Sequence, residues 1–452
     1  MDTIESEAIA MRGHVARTVA CMTVIVGLWL TGAVHSPAVA QSGGAPAELR
    51  VAWWGSQDRH NRTIKAIELF QKKYPNIKVT YEFAGWGDYW TKMTTQAAGR
   101  NLPDVMQQDY AFISEWTSRG LIAPLDDYVK SGVIDVRDVS EAALKGGIVN
   151  GKLVAVNLGS NSQCWVLDVD AFKKAGVDLP AANWSWSDFE KVSLALQQKL
   201  GMWGMGSQTW DNQLWGAVYL STGQWRYTAD GSKIGYESDK PFADYLGMLV
   251  RMQKANTVVP RADEMASFNQ DTSVELSPIV TRKAAMAYFW SNQIVAVWKA
   301  AGGDERNFML HPLPRVPGGK SANFIKPSQF FSVTTQAKAP KEAAMFIDFV
   351  TNSLEANEAL LAERGVPISN KVQKALMPKL GKSQAEMFAY LERVGKDVQP
   401  IPPPDPPGHA DIVKNVYNPQ VVDPVAFGRL EPDKAAALLR AEANAILAKA
   451  KR

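Results

Sequence analysis

The sequence predicts an α/β protein of two domains. Three observations carry this: strand and helix patterns alternate over residues 49–106, the chain of 452 residues is too long for one compact core, and the cysteines cannot staple a small fold. Residues 49–54 form the apolar run of a buried strand. In 63–74, Ile64, Ile67, Leu69 and Phe70 recur at roughly helical spacing, and Pro75-Asn76 ends the helix. Residues 77–83 alternate and are β-branched, a second strand; 90–98 read as a helix closed by Gly99, and Asp104-Val105-Met106 begins a third strand. Strand–helix–strand–helix–strand gives a parallel sheet covered by helices, and ligands of such sheets sit beyond the carboxyl ends of the strands. That rule marks two stretches, 55–58 and 107–110.

Further along, Gly176 closes a helix and Ser187 reads as a cap before Asp188. Residues 202–236, rich in Gly, Trp and Gln, read as loops around short helices, and 284–298 as a strand followed by a helix. Residues 341–350 form an amphipathic helix, the proline-dense 399–407 an extended loop, and 435–450 a terminal helix rich in Ala and Leu.

At the N-terminus, Arg12 and Arg17 precede an apolar run, 19–30, and then Ala38-Val39-Ala40. This predicts a signal peptide, 1–40, removed after Ala40, and export to the periplasm. Only Cys164 then remains, so no internal disulfide can form. His60, His311 and His409 are too far apart in sequence to suggest a metal site, and no cofactor is expected. The net charge of +3 and the lack of a basic run interleaved with aromatics argue against nucleic acid as a partner. The unusual figure is fifteen tryptophans, fourteen once Trp29 leaves with the signal. An indole offers a flat apolar face and one donor. Such an excess in an exported protein without disulfides fits stacking against sugar rings, although for any single Trp a core position is the commoner fate.

The order of motifs also carries a resemblance. "LRVAWWGSQDRHNRTIKAIELFQKKYPNIKV", "GWGDYWTKMTTQAAGRNLPDV", "GLIAPLDDYV", "NGKLVAV", "DVDAFKKAGVDLP", "NWSWSDF", "RKAAMAYFW", "KEAAMFIDFV", "RGVPIS" and "FGRLEPDKAAALLRAEANAIL" follow one another through the chain. Together they resemble extracellular solute-binding protein family 1, which includes the maltose-binding protein. The chain departs from the family pattern at the crossover 152–157 and after Ala284-Ala285-Met286, where Trp290 comes early. The resemblance implies a two-lobed periplasmic-binding-protein fold, a parallel-rich sheet in each lobe, a ligand cleft between them and more than one crossover. The expected limits are 48–157 with 311–361 for the N-terminal lobe and 158–310 with 363–452 for the C-terminal lobe. It further implies a monomer that is not an enzyme. It would capture a sugar or oligosaccharide by lobe closure and deliver it to the transmembrane permease subunits of an ABC importer with their cytoplasmic ATPase.

A sugar site needs planar donors and acceptors for hydroxyls and aromatic faces for rings. Where strand-end loops and the family's loops coincide, the candidates are Trp54, Gln57, Asp58, Trp86, Asp109, Asn161, Gln163, Trp210, Trp290, Gln293, Ser328, Gln329 and Arg364. Asp58 serves equally well as a helix cap or as a ligand group. Trp53 and Trp54 point to opposite faces of a strand, one to the core and one toward the cleft. Trp86, between two glycines, reads as loop-borne and free; Trp90, Trp184 and Trp186 read as core; one of Trp210 and Trp215 is expected to stack. Arg364 is either structural or a reader of an anionic sugar. The competing class is an exported glycoside hydrolase or lyase, for which Asp58 and Asp109 would have to converge as a carboxylate pair. A binder of another solute class, such as a polyamine, metal or phosphorylated polyol, is a third reading.

Overall fold

The computed structural model describes residues 45–206, 208–267 and 274–450; the expected signal peptide lies outside the described residues. The first lobe opens as the alternation predicts, with β1 (Ala47–Trp54), α1 (Gln57–Lys73), β2 (Ile77–Ala84), α2 (Trp86–Ala98) and β3 (Val105–Gln108). Both helices start earlier than the spacing suggests. Ser56 caps α1, its hydroxyl accepting the Arg59 N–H, so Asp58 lies in the first turn. Gly85 precedes α2, so Trp86 opens a helix and is not loop-borne.

The chain then runs through β4 (Val156–Asn157) and β5 (Ser160–Asp168) into the second sheet. There follow β6 (Trp203–Met205), α3 (Asn212–Thr222), β7 (Ala284–Trp290), α4 (Ile294–Ala300), β8 (Phe308–His311), β9 (Ile325–Pro327) and β10 (Phe330–Val333). The last part carries α5 (Pro340–Asn352), α6 (Asn370–Leu376), α7 (Lys382–Val394), a π-helix over Ile412–Val422 and α8 (Pro432–Ala450). Pro419 sits inside the π-helix and has no N–H to donate to its ladder.

The first sheet has the order β2-β1-β3-β10-β4. β1 is parallel to β2 and β3, and β10 runs against β3 and β4. The second sheet, β8-β5-β7-β6 with β9 also on β5, departs from the parallel-rich expectation. β5 is antiparallel to β7, β8 and β9, and only β6 and β7 are parallel. The reason is topological: β5 carries the chain away from the first lobe, whereas β7, β8 and β9 lead back toward it.

Strand alternation divides each sheet between two apolar layers. Val51 and Trp53 enter one core with Phe70 and Phe346, while Ala52 and Trp54 face Tyr89 and Met93. Trp165 and Leu167 enter the large second-lobe core, and Cys164 and Val166 the layer on the opposite face.

Several local expectations shift. The helix Trp186–Leu200 is capped by Ser185 and not Ser187, because the Asp188 carboxylate reaches back to the Ser185 N–H. Residues 202–236 hold a strand and the almost wholly buried α3 as well as loops. His311 pairs with Trp165 and β9 with β5, so the return to the first sheet falls between Pro327 and Phe330, later than 311. Arg364 still bonds Gln107, Ile368 still joins the first core, and the second return comes after α6, with α7 packing on β8.

Candidate functional site

Between the sheets lies a cleft of about 790 Å³, in the size range of small-molecule sites. The first lobe lines it with strand-end residues, as the carboxyl-end rule requires: Trp54 to Gln57 after β1, Gly85 and Trp86 after β2, and Asp109 to Phe112 after β3. Gly55 permits this turn, since a Cβ there would lie 2.3 Å from Arg59 Cδ. Arg59 folds back, its Nε donating to Glu363 Oε2 at 2.7 Å and its Nη1 to the Trp54 carbonyl at 3.2 Å.

The second lobe contributes Asn161 from the start of β5, Trp290 and Gln293 from the end of β7, Lys326 from β9, and Ser328 and Gln329 beyond it. Asn161 Nδ2 donates to Asn292 Oδ1 at 2.7 Å. Gly365, at φ +114°, lets the 364–366 turn press against Asn161; a Cβ would lie 2.6 Å from its Oδ1. The Gln329 Oε1 and Ser328 Oγ atoms are buried with no hydrogen-bond partner.

Aromatic rings stand on both sides. In the first lobe Trp54 meets Trp86 edge-on with centroids 5.0 Å apart, and Trp86 continues to Phe112 at 5.9 Å. In the second lobe Trp225, Phe324 and Trp290 form a chain with centroid separations of 6.2 and 6.0 Å. All six line the cleft.

The far wall of the second lobe is a buried polar relay. Arg226 Nη2 donates to Asp405 Oδ1 at 2.8 Å, Asp405 Oδ2 lies 3.4 Å from His409 Nε2, and His409 Nδ1 lies 2.6 Å from the Tyr227 hydroxyl. Burial, aided by Arg226 and opposed by Asp405, pulls His409 down to about 4, so the ring is neutral at pH 7. A phenol donating to Nδ1 and an Nε2–H turned to Asp405 satisfies this chain. The relay fixes the proline-rich 399–407 segment, whose Pro402 carbonyl accepts from the first-lobe Tyr110 hydroxyl at 3.3 Å.

Among the sequence candidates, Trp54, Gln57, Trp86, Asp109, Asn161, Trp290, Gln293, Ser328 and Gln329 line the cleft. Four do not. Asp58 turns to Arg62 Nε at 2.5 Å and Lys299 Nζ at 2.6 Å, the latter an ion pair between the lobes. Burial acts to raise its carboxyl, but these two cations overcome it and hold it below its usual value. Asp109 lines the cleft and Asp58, held by these two cations, does not. Gln163 is buried opposite Trp290 in the sheet interior, two residues beyond Asn161. Trp210 is 2 % exposed in the second-lobe core, as is the fully buried Trp215. Arg364 is 4 % exposed, its Nε donating to Gln107 Oε1 at 3.2 Å and its Nη2 to Thr63 Oγ1 at 2.9 Å; burial lowers it to about 9. It lies inside the first lobe, outside the cleft lining.

Tyr110 falls in the stretch 107–110 that the strand-end rule marked, whereas sequence reasoning missed Trp225, Arg226, Phe324, Lys326, Asp405 and His409. Trp225 carried the same signal as Trp210, an indole in a Gly-rich polar stretch. Asp405 was the lone acid within a proline run. Nothing local marked the others. Among the described residues no cluster of His, Cys, Asp and Glu could hold a metal ion, and no helix is long and apolar enough to cross a membrane.

Two α/β lobes with an aromatic and polar cleft between them define a two-lobed binding protein. The chain belongs to the bacterial extracellular solute-binding proteins, whose family pattern matches residues 58–353. It is similar to a periplasmic oligogalacturonide binding protein from Yersinia enterocolitica solved with saturated digalacturonic acid, at 26% identity and a TM-score of 0.79, covering 90% of this chain and 100% of that one. A periplasmic solute binding protein from Pectobacterium atrosepticum is similar at 26% identity and a TM-score of 0.77, with the same coverage. A carbohydrate ABC transporter substrate-binding protein from Streptococcus pneumoniae is 26% identical over 175 residues, 38% of this chain and 34% of that protein. The match to Brucella abortus relatives likewise spans only 38% of their length.

Proposed function

We propose that this protein is the periplasmic solute-binding component of an ABC importer, which captures a sugar or oligosaccharide and delivers it to the membrane permease. The observation that carries the reading is the cleft itself, with a three-ring aromatic chain on each lobe and amides, hydroxyls and carboxylates between them. Indole faces take the C–H faces of a sugar ring, and planar polar groups take its hydroxyls. The oligogalacturonide-binding neighbour and the Streptococcus pneumoniae relative support the sugar reading by what they are named for, and the Pectobacterium atrosepticum neighbour supports periplasmic solute binding.

Closure is the mechanism this architecture favours. A ligand touching both aromatic chains gains its full contacts only with the lobes together, so binding shifts the population toward the closed form. The permease then reads the paired lobe surfaces. No substrate turnover follows from this reading. The test is a thermal-shift and calorimetry screen of the processed protein against mono- and oligosaccharides. A binder is expected to melt higher with its sugar by mass action and to bind one to one without product. Product formation would instead support the hydrolase.

A further inference from the structure

The cleft cations fall into two kinds. Arg59 and Arg226 are gripped by carboxylates at 2.7 and 2.8 Å with side chains 6 % and 2 % exposed, so they hold the walls together. Lys326 is different. Its ammonium lies 4.6 Å over the Trp290 ring and 3.5 Å from Asp109 Oδ2, with the side chain 11 % exposed. That separation exceeds the 2.7–2.9 Å of a charge-assisted hydrogen bond. An ammonium has three donors, and Asp109 can take one of them.

Two residues on, Ser328 places a buried hydroxyl without a partner on the same cleft-lining segment. Lys414, also lining the cleft, has no carboxylate partner among the described residues. Lys414 is exposed and solvated, but the shielded Lys326 ammonium and the buried Ser328 hydroxyl call for an acceptor stronger than a hydroxyl, since unmet donors away from water are costly.

We propose that the sugar carries a carboxylate, a uronic acid, and that Lys326 with Ser328 recognises it above the Trp290 face. This rests on the sugar-binding reading and narrows it. Asp109 belongs to the first lobe and Lys326 to the second, so the ammonium is presented to the ligand at the junction where the lobes meet. The charge-reading role passes from Arg364, which is sealed in the first lobe, to Lys326.

The experiment is titration calorimetry of the processed protein with galacturonic, glucuronic and mannuronic disaccharides and their uncharged counterparts, at low and high salt. At least one uronide is expected to bind tenfold or more tightly than its neutral counterpart, with the preference shrinking as salt rises. Lys326→Met should abolish the preference and Ser328→Ala reduce it severalfold, with melting temperatures confirming that both variants fold. A neutral sugar bound as tightly as its uronide, or an unchanged preference in folded Lys326→Met, overturns the charge assignment and leaves the sugar reading standing. Binding of neither set contradicts the sugar reading and the proposal together. The wild-type ratio and its salt dependence decide the matter even if Lys326→Met fails to fold.

Discussion

The two walls of the cleft are built in different ways. The first-lobe wall comes from three consecutive strand ends within about sixty residues of chain, and each residue is placed by the turn that follows its own strand. The second-lobe wall draws on segments scattered from Asn161 to Asn418, joined by long-range contacts such as Arg226–Asp405 and Asn161–Asn292. One wall follows from topology and the other from tertiary pairing. Changes to the first should therefore act mainly on ligand contacts, and changes to the second on stability as well.

The largest expected effect tests this directly. Arg226→Ala strands the Asp405 carboxylate in a site only 8 % exposed and should destabilise the protein by ~3–5 kcal/mol. Gln57→Ala on the first wall should change stability by less than ~0.5 kcal/mol, as surface changes do. Denaturant unfolding of the two variants measures the contrast; equal losses would erase it.

Next in size are the rings. Trp86→Ala and Trp225→Ala, one from each wall, should each weaken sugar binding by ~1–3 kcal/mol in calorimetry. If only one matters, the ligand leans on one wall.

The smallest effect concerns the relay and appears only on acidification. Burial holds His409 at about 4 when folded, below the ordinary histidine value of 6.5. Because the folded value is depressed, the unfolded chain binds the proton first. Stability is fully present above about 6.5 and is lost as pH falls from there through about 4. Folded His409→Gln should show a shallower fall in melting temperature across that window. Part of the slope will persist, because burial also lowers His60 to about 4.

The same contrast explains what could be read in the sequence. The strand ends at Trp54, Trp86 and Asp109 were legible because hydrophobic periodicity and the carboxyl-end rule are local. Trp53 and Trp54 separated into core and cleft by strand alternation alone. Trp210 and Trp225 share one Gly- and Trp-rich stretch, and only the packing of α3 sends the first to the core and leaves the second at the cleft. Asp58 was legible as a polar residue in the right turn, but its partner Lys299 lies 241 residues away. The antiparallel centre of the second sheet was hidden too, since strand direction there depends on which strand leaves the first lobe.

The most direct measurement is small-angle scattering of the processed protein during titration with a sugar that calorimetry has shown to bind. The radius of gyration should fall, or be compact from the start, and saturate at one ligand per chain, with the sugar recovered unchanged. Expansion on binding, or a cleaved sugar, would contradict capture between closing lobes.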